Sequence, residues 1–233
     1  DVEAVIVPIG GGGLIAGVAF AIKTLRPEIK VYGVQAAGAP SMFQSSHEGH
    51  RVHLDRVQTI ADGIAVKEPG ELTFELIKQY VDEIVTVTDE ETAAAILALL
   101  EQQKLVAEGA GAVAVAAAMF NKLPIKGKKT ICLVSGGNVD VTTLSRIVNR
   151  GLTKSGRKYS FIIDLDDKPG QLSGVCNVVA DQGGNIQSVT HERVNTAAEI
   201  NGCTVRVEMD TRDQAHIDSI RRALIASGFK VTN

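Results

Sequence analysis

Apolar residues fall into two textures along this chain. Over roughly the first 150 positions they come as short unbroken runs: AVIVPI at 4–9, KVYGVQA at 30–36, EIVTV at 83–87 and TICLV at 130–134. Runs of this length without alternation predict strands buried on both faces, as in a parallel sheet. Helical patterns separate them. The first covers 13–26, rich in Ala and Leu, with Lys23 and Arg26 late in the segment and Pro27 as its stop. Others cover 41–48 and 70–81, the latter with Leu72, Leu76 and Ile77 on one face. Thr88 reads as an N-cap before Asp89, Glu90 and Glu91, opening a helix to about Gln103. A small-residue helix is expected over 109–121 and a short one over 140–150, while 49–69 reads as irregular. This alternation of strand and helix predicts a sheet covered on both faces.

The second texture begins near residue 151. RGLTKSGRK is polar, with two glycines and four basic residues, and reads as a linker. YSFIIDL (159–165) predicts a strand, DDKPGQL a turn, and Gly170 to about Gln182 a helix. NIQSVTHERV (185–194) and CTVRVEM (203–209) alternate apolar and polar residues, as strands with one solvated face do. NTAAEINGC between them reads as a hairpin loop, 212–226 as a helix and FKVTN as a closing strand. The order is βαββαβ, the ferredoxin-like motif. The expected domains are therefore 1–152, α/β, and 153–233, a small α+β module.

Composition changes this picture little. The chain has 233 residues, 45% hydrophobic, with no Trp and 4% aromatics, so its cores must be built from Ala, Val, Ile and Leu. A formal net charge of -3 offers no basic field for nucleic acid. No apolar run approaches the roughly 20 residues of a membrane span. Cys132, Cys176 and Cys203 are widely spaced and odd in number. They form neither a metal-like pair nor a disulfide framework, and point to a reducing cytoplasm. The chain begins with Asp1, not Met, and runs as a buried strand within three residues, as a chain cut within a fold would; a chosen boundary would look the same.

Four stretches carry candidate chemistry. In VIVPIGGGGLIAG, Gly10, Gly11, Gly12 and Gly13 stand between a strand and a helix. Such a loop exposes backbone N–H groups at the positive end of a helix dipole and makes a phosphate cradle; a tight turn that binds nothing is the plainer alternative. The cluster lacks the Lys-Ser/Thr ending of a P-loop. It also departs from dinucleotide spacing, because Gln35 and Ala36 stand where an acid is expected. In CLVSGGNVD, Ser135 sits at the carboxyl end of a strand, where open α/β sheets bind ligands, or simply starts a turn. TIADGIAV contains Asp62-Gly63, compatible with any turn. In KLVAEGAGAVAVAAA, Glu108 interrupts an apolar region, either as a costly buried acid or as a helix-start acid at a surface.

Together, IGGGGLIAG, TIADGIAV, EGAGAVAVAAA and VSGGNVD, in this order, resemble the pyridoxal-phosphate enzymes of fold type II, nearest the threonine dehydratases (threonine ammonia-lyases), with serine dehydratase and serine racemase close by. FIIDLDDKPGQLSGVCNVVADQGGNI resembles an ACT domain. The resemblance implies that Gly10 to Gly13 hold the phosphate of pyridoxal 5'-phosphate through their amides. It implies that Ser135 bonds the pyridine nitrogen, that Glu108 and the Gly63 backbone lie near the ring, and that Asn138 supports the turn presenting Ser135. The implied reaction removes the α-proton and β-hydroxyl of L-threonine, or of L-serine, and releases an enamine that hydrolyses to a 2-oxo acid and ammonia.

Two departures accompany the resemblance. The family's catalytic lysine and its carboxylate-binding loop precede the glycine cluster and are not in this chain, so no catalytic residue is assigned and the chain alone is expected to be inactive. The acidic residues that hold a divalent ion in serine racemases are replaced in VQAAGAPSM by Gln35 and Ser41, so no divalent metal site is expected there, with a monovalent ion on backbone carbonyls as the alternative. The ACT resemblance implies an amino-acid effector, isoleucine or valine, bound near Gly170, Gln171, Leu172, Asn185 and Ile186, and a homo-oligomer formed through both domains. A pairing module without ligand is the alternative there, and His191 reads as a surface or interface residue. A non-catalytic amino-acid sensor is the rival reading for the whole chain.

Overall fold

The computed structural model describes residues 1–192 and 202–232. The contacts divide the chain into two compact units, Asp1–Ile147 and Val148–Asn233.

In the first unit β1 (Ala4–Pro8), β2 (Lys30–Ala36), β3 (Glu83–Val87) and β4 (Thr130–Cys132) form a wholly parallel sheet in the order β3-β2-β1-β4. Val5 pairs with Val31 and Ile131, and Gly33 with Ile84. The unbroken apolar runs are explained by what covers them. Ala4, Ile6, Tyr32 and Val34 face one cluster, with Ala95, Ile96, Val113 and Ala117 of the helices α4 (Asp89–Ala98) and α5 (Gly109–Met119). Val5, Val7, Ile9 and Val31 face the other, with Ile15 and Ala19 of α1 (Gly13–Leu25) and Phe74 and Ile77 of α3 (Glu71–Tyr80). Side chains alternate across a strand, so a sheet covered twice needs apolar residues at every position. α5 is apolar all round because it is buried nearly all round, and its alanines and glycines let it lie close against its neighbours.

α2 (Ser41–Glu48) forms as expected, and the irregular stretch contains a single 3-10 turn, Asp62–Ile64. The Thr88 cap is a full capping box: Glu91 N–H donates to Thr88 Oγ1 at 3.2 Å, and Thr88 N–H donates to Glu91 Oε2 at 2.9 Å. The helix that follows does not stay α-helical to its end. Leu99–Gln103 winds as a π turn and stops at Lys104, with φ of 57°.

α6 (Val141–Lys154) corrects the expected linker, because RGLTK is its last turn. Leu144 and Ile147 pack on the first core. Thr153 Oγ1 donates to the Asn149 carbonyl at 3.0 Å, and the helix stops before Gly156, where φ is 70°. A mid-helix glycine costs roughly 1 kcal/mol relative to alanine, too little to end a helix anchored by packing.

In the second unit β5 (Lys158–Asp166), α7 (Gln171–Asp181), β6 (Asn185–Glu192), β7 (Gly202–Asp210), α8 (Gln214–Ala226) and β8 (Lys230–Thr232) follow one another. The sheet is antiparallel in the order β6-β7-β5-β8, with a bulge between Ile186 and Ser188. Phe161, Ile163, Leu165, Cys203, Val205, Val207 and Met209 point to one face, against Val175 and Val179 of α7 and Ile220 and Leu224 of α8. The alternation expected in β7 is this division between a covered and an open face, which β5 shares, whereas β6, also expected to alternate, is exposed along nearly all its length. The hairpin loop expected at 195–203 falls, up to residue 201, outside the described residues, as do 193, 194 and 233.

Candidate functional site

All strands of the first sheet run the same way, so their carboxyl ends share one edge, where open α/β folds place ligands. At that edge Gly10, Gly11, Gly12 and Gly13 connect β1 to α1. Gly12 stands in the left-handed region, φ 96°, and a Cβ there would sit 2.8 Å from Met42 Cε and 2.9 Å from both Ile77 Cδ1 and Thr73 Cβ. Only glycine takes this corner without strain. The Gly11 carbonyl accepts from Thr73 Oγ1 at 2.6 Å and from Gly70 N–H at 3.3 Å. Among the described residues no acceptor is paired with the amides of Gly10, Gly11, Gly12 or Gly13. Unmatched donors at a helix N-terminus, in a loop that carries no side chains, suit an anion.

These amides line a cavity of about 250 Å³, bounded also by Pro8, Leu14, Gly63, Ile64, Glu108, Ala110 and Ser135. Every expected cofactor residue except Asn138 therefore meets there. Ser135 is exposed, just beyond the end of β4. α5 reaches it because Gly111 has no side chain: a Cβ would lie 2.0 Å from the Ser135 carbonyl oxygen. Glu108 is half-buried and precedes α5 without capping it. Its N–H donates to the Gly136 carbonyl at 3.2 Å, and its carboxylate fills the space a side chain at Gly136 would need. Gly63 contributes its backbone, but its N–H donates to Asp62 Oδ1 at 2.9 Å. Asn138 lines a neighbouring cavity of about 260 Å³, with Thr59, Ile60, Asp62, Asp140 and Thr143; Glu108 borders both. No lysine lines either cavity.

Several supports were not singled out in the sequence. Asp89 Oδ1 accepts from Thr59 Oγ1 at 2.6 Å and from Ile60 N–H at 3.2 Å, and so pins the loop carrying Gly63 to the start of α4. Gly109 packs on the same loop, since a Cβ would lie 2.5 Å from the Ile60 carbonyl oxygen. Thr73 holds the glycine loop from behind. Asp140 accepts from Thr143 N–H at 2.8 Å, which holds its carboxyl below the usual carboxylate range and starts α6 directly after the Ser135 turn. Asp89 was legible only as a helix-start acid, because a partner 29 or 30 positions away leaves no local signal.

In the second unit Gly170 precedes α7 with φ of 91° and Gln171 opens it. Leu172 and Ile186 pack against the core, and Asn185 Nδ2 donates to Asp210 Oδ2 at 3.4 Å. A cavity of about 310 Å³ lies instead on the open sheet face, bounded by Ile162, Asp164, Glu192, Thr204, Arg206 and Thr232.

The family described as pyridoxal-phosphate dependent enzyme matches residues 1–137, more than half of the chain. This chain belongs to the pyridoxal-phosphate dependent enzymes. An ACT domain matches residues 159–226 behind that part. Among relatives of this enzyme family, the L-threonine ammonia-lyase of Thermotoga maritima is 52% identical over 231 residues, covering 99% of this chain and 57% of that protein. The chain thus spans little more than half the length of that relative. The solved structure of the processed form of threonine deaminase isoform 2 from Solanum lycopersicum aligns with a TM-score of 0.60 at 41% identity, over 64% of this chain and 42% of that one. Maize serine racemase aligns with a TM-score of 0.58 at 34% identity, over 66% and 48%. The family's cofactor suits the loop described above: a phosphate needs several convergent donors, and four unmatched amides at a helix start supply them. No helix among the described residues is long and apolar enough to cross a membrane.

Proposed function

We propose that this chain is part of a pyridoxal-phosphate dependent ammonia-lyase acting on L-threonine, with amino-acid regulation through its ACT domain. The observation that carries the reading is the cavity where the unmatched amides of the glycine loop share a lining with Ser135 and Glu108. Its supports are the 52% identity to an L-threonine ammonia-lyase and the ACT domain in tandem. The amides of Gly10 to Gly13, with the α1 dipole, hold the cofactor phosphate. The Ser135 hydroxyl would donate to the pyridine nitrogen, and a neutral donor there would suit elimination of a β-substituent over chemistry needing a stronger electron sink. Glu108 and the Gly63 backbone flank the ring, and Asn138 supports the turn behind Ser135. Bound, the cofactor supplies electron withdrawal from the amino acid's α-carbon.

No lysine borders the cavity, so turnover is assigned to the whole protein and not to this chain by itself. The ACT domain takes isoleucine or valine at Gly170, Gln171, Leu172, Asn185 and Ile186, and the protein assembles as a homo-oligomer. The test is the whole protein, reconstituted with pyridoxal phosphate and assayed for 2-oxo acid release from L-threonine and L-serine. A yellow protein that releases 2-oxobutanoate supports the reading, and one that never retains the cofactor overturns it. Calorimetric titration of the same protein with isoleucine and valine tests the regulatory half, where absence of heat leaves the ACT domain without an amino-acid role.

A further inference from the structure

The sheet register of the second unit brings together three side chains that are scattered in sequence. Cys203 is in β7, the strand between β6 and β5. His191 of β6 pairs with Val205, two positions along β7 from Cys203, and therefore projects to the same face. On the other side Cys203 pairs with Leu165 of β5, and Asp167 lies two residues beyond it, in the turn that leads to α7. One ligand atom from each of Asp167, His191 and Cys203 lies within 4.8 Å of the other two. Cys203 is 2% exposed, at the end of the apolar core, while Asp167 and His191 are exposed.

We propose that Asp167, His191 and Cys203 bind a divalent cation of the zinc class through a carboxylate oxygen, an imidazole nitrogen and a thiolate sulfur, with water in the remaining position. Metal–ligand bonds of about 2.0–2.3 Å place tetrahedral ligand atoms about 3.4–3.8 Å apart. The present separations, up to 4.8 Å, leave about 1 Å to close, and two of the three side chains face solvent. The donor set selects the ion: sulfur and imidazole suit zinc and its neighbours, whereas calcium and magnesium demand oxygen ligands throughout. A buried cysteine is by itself an ordinary core filler. Here its sulfur ends the apolar face with an imidazole from one neighbouring strand and a carboxylate from the other. The ion cross-links β6, β7 and the β5–α7 turn, so zinc stabilises this unit by mass action.

The experiment strips the whole protein of metal, returns Zn²⁺ alone, and measures bound zinc against a competing chromophoric chelator and by thermal shift. Co²⁺ replaces Zn²⁺ to read the ligand geometry. One zinc per chain is expected, with a raised melting temperature. H191Q and D167N, which alter exposed side chains, should each weaken binding at least tenfold. The intense visible bands of tetrahedral Co²⁺ should disappear in C203S. Failure to bind one equivalent of zinc overturns the site. So does wild-type zinc affinity in H191Q and D167N, and these two variants decide the matter even if C203S folds poorly.

Discussion

The two sheets of this protein use the same residue types under opposite rules. In the first, helices cover both faces, most strand positions are apolar, with Gln35 a buried polar exception, and chemistry is left to the strand ends. The candidate site there is accordingly built mostly from backbone: glycine amides, a turn that Ser135 begins, and a helix brought close by glycine. In the second, one face is covered and the other open, so strand positions alternate, and the candidate chemistry consists of side chains brought side by side by register. A site made of backbone depends on what is absent from its neighbours. A site made of side chains depends on what faces what.

The sharpest way to break this comparison is at a glycine. G111V should abolish cofactor retention, by at least a hundredfold, because a Cβ at that position overlaps the Ser135 carbonyl at 2.0 Å. Bound pyridoxal phosphate per chain in the whole protein, with circular dichroism to check the fold, reads the effect.

Adjacent positions in one strand of each sheet come next. In β1 both neighbours should matter: I6A should cost about 2–5 kcal/mol and V7A at least about 1.5 kcal/mol. In β5, I163A should cost about 2–5 kcal/mol, while I162A, whose side chain borders the open-face cavity, should cost about 1 kcal/mol or less. Chemical denaturation of the four variants measures the contrast, and equal costs at 162 and 163 would remove it.

A smaller effect is expected where side chains hold the backbone site. T59A removes the bond to Asp89 and the bond from Ala61 N–H, so cofactor affinity should fall about three- to tenfold, in line with the roughly 1 kcal/mol of a hydrogen bond. Equilibrium dialysis of the cofactor checks it.

The smallest effect is a titration. Asp82 joins α1, β2 and β3: it accepts from Lys23 at 2.7 Å, from Lys30 at 2.7 Å and from Val31 N–H at 2.8 Å. Partial burial alone would push its carboxyl up, but the bonds from Lys23, Lys30 and Val31 outweigh it and hold the carboxyl below its ordinary value. A group lowered in the folded state stabilises above its unfolded pKa, about 3.9, and loses that contribution as pH falls through the folded value. D82N should therefore lower the melting temperature at neutral pH, begin to converge with the parent below about pH 4 and meet it only below the lowered folded value. A difference that persists in acid would assign the effect to packing.

Much of this was legible in the residues themselves. The unbroken run at 4–9 and the alternation in β7 named their sheets, because covering helices leave a period in the strand they cover, whereas β6, also read as alternating, is exposed along nearly all its length. The Thr88 N-cap was equally plain, since its partner Glu91 lies three positions on, and the run of four glycines was plain as a run, though Thr73, which holds it, lies 62 positions away. Less legible were the end of α6, where packing of Leu144 and Ile147 outweighed a glycine and a polar run, and the π turn at Leu99–Gln103, which no local pattern announced. Asp89 could not be recognised as the anchor of the Gly63 loop, because sequence carries no distance between positions so far apart.

What the sequence determined by itself was the alternation of elements, the two textures of burial and the presence of a glycine loop between strand and helix, all written in short local patterns. What tertiary structure decided was how distant groups meet: Glu108 and Ser135 beside the glycine amides, and Asp167, His191 and Cys203 across two strands and the turn after a third. The reason is physical. Periodicity is written locally, whereas strand order and register arise only when whole faces are buried together, and it is order and register that choose neighbours.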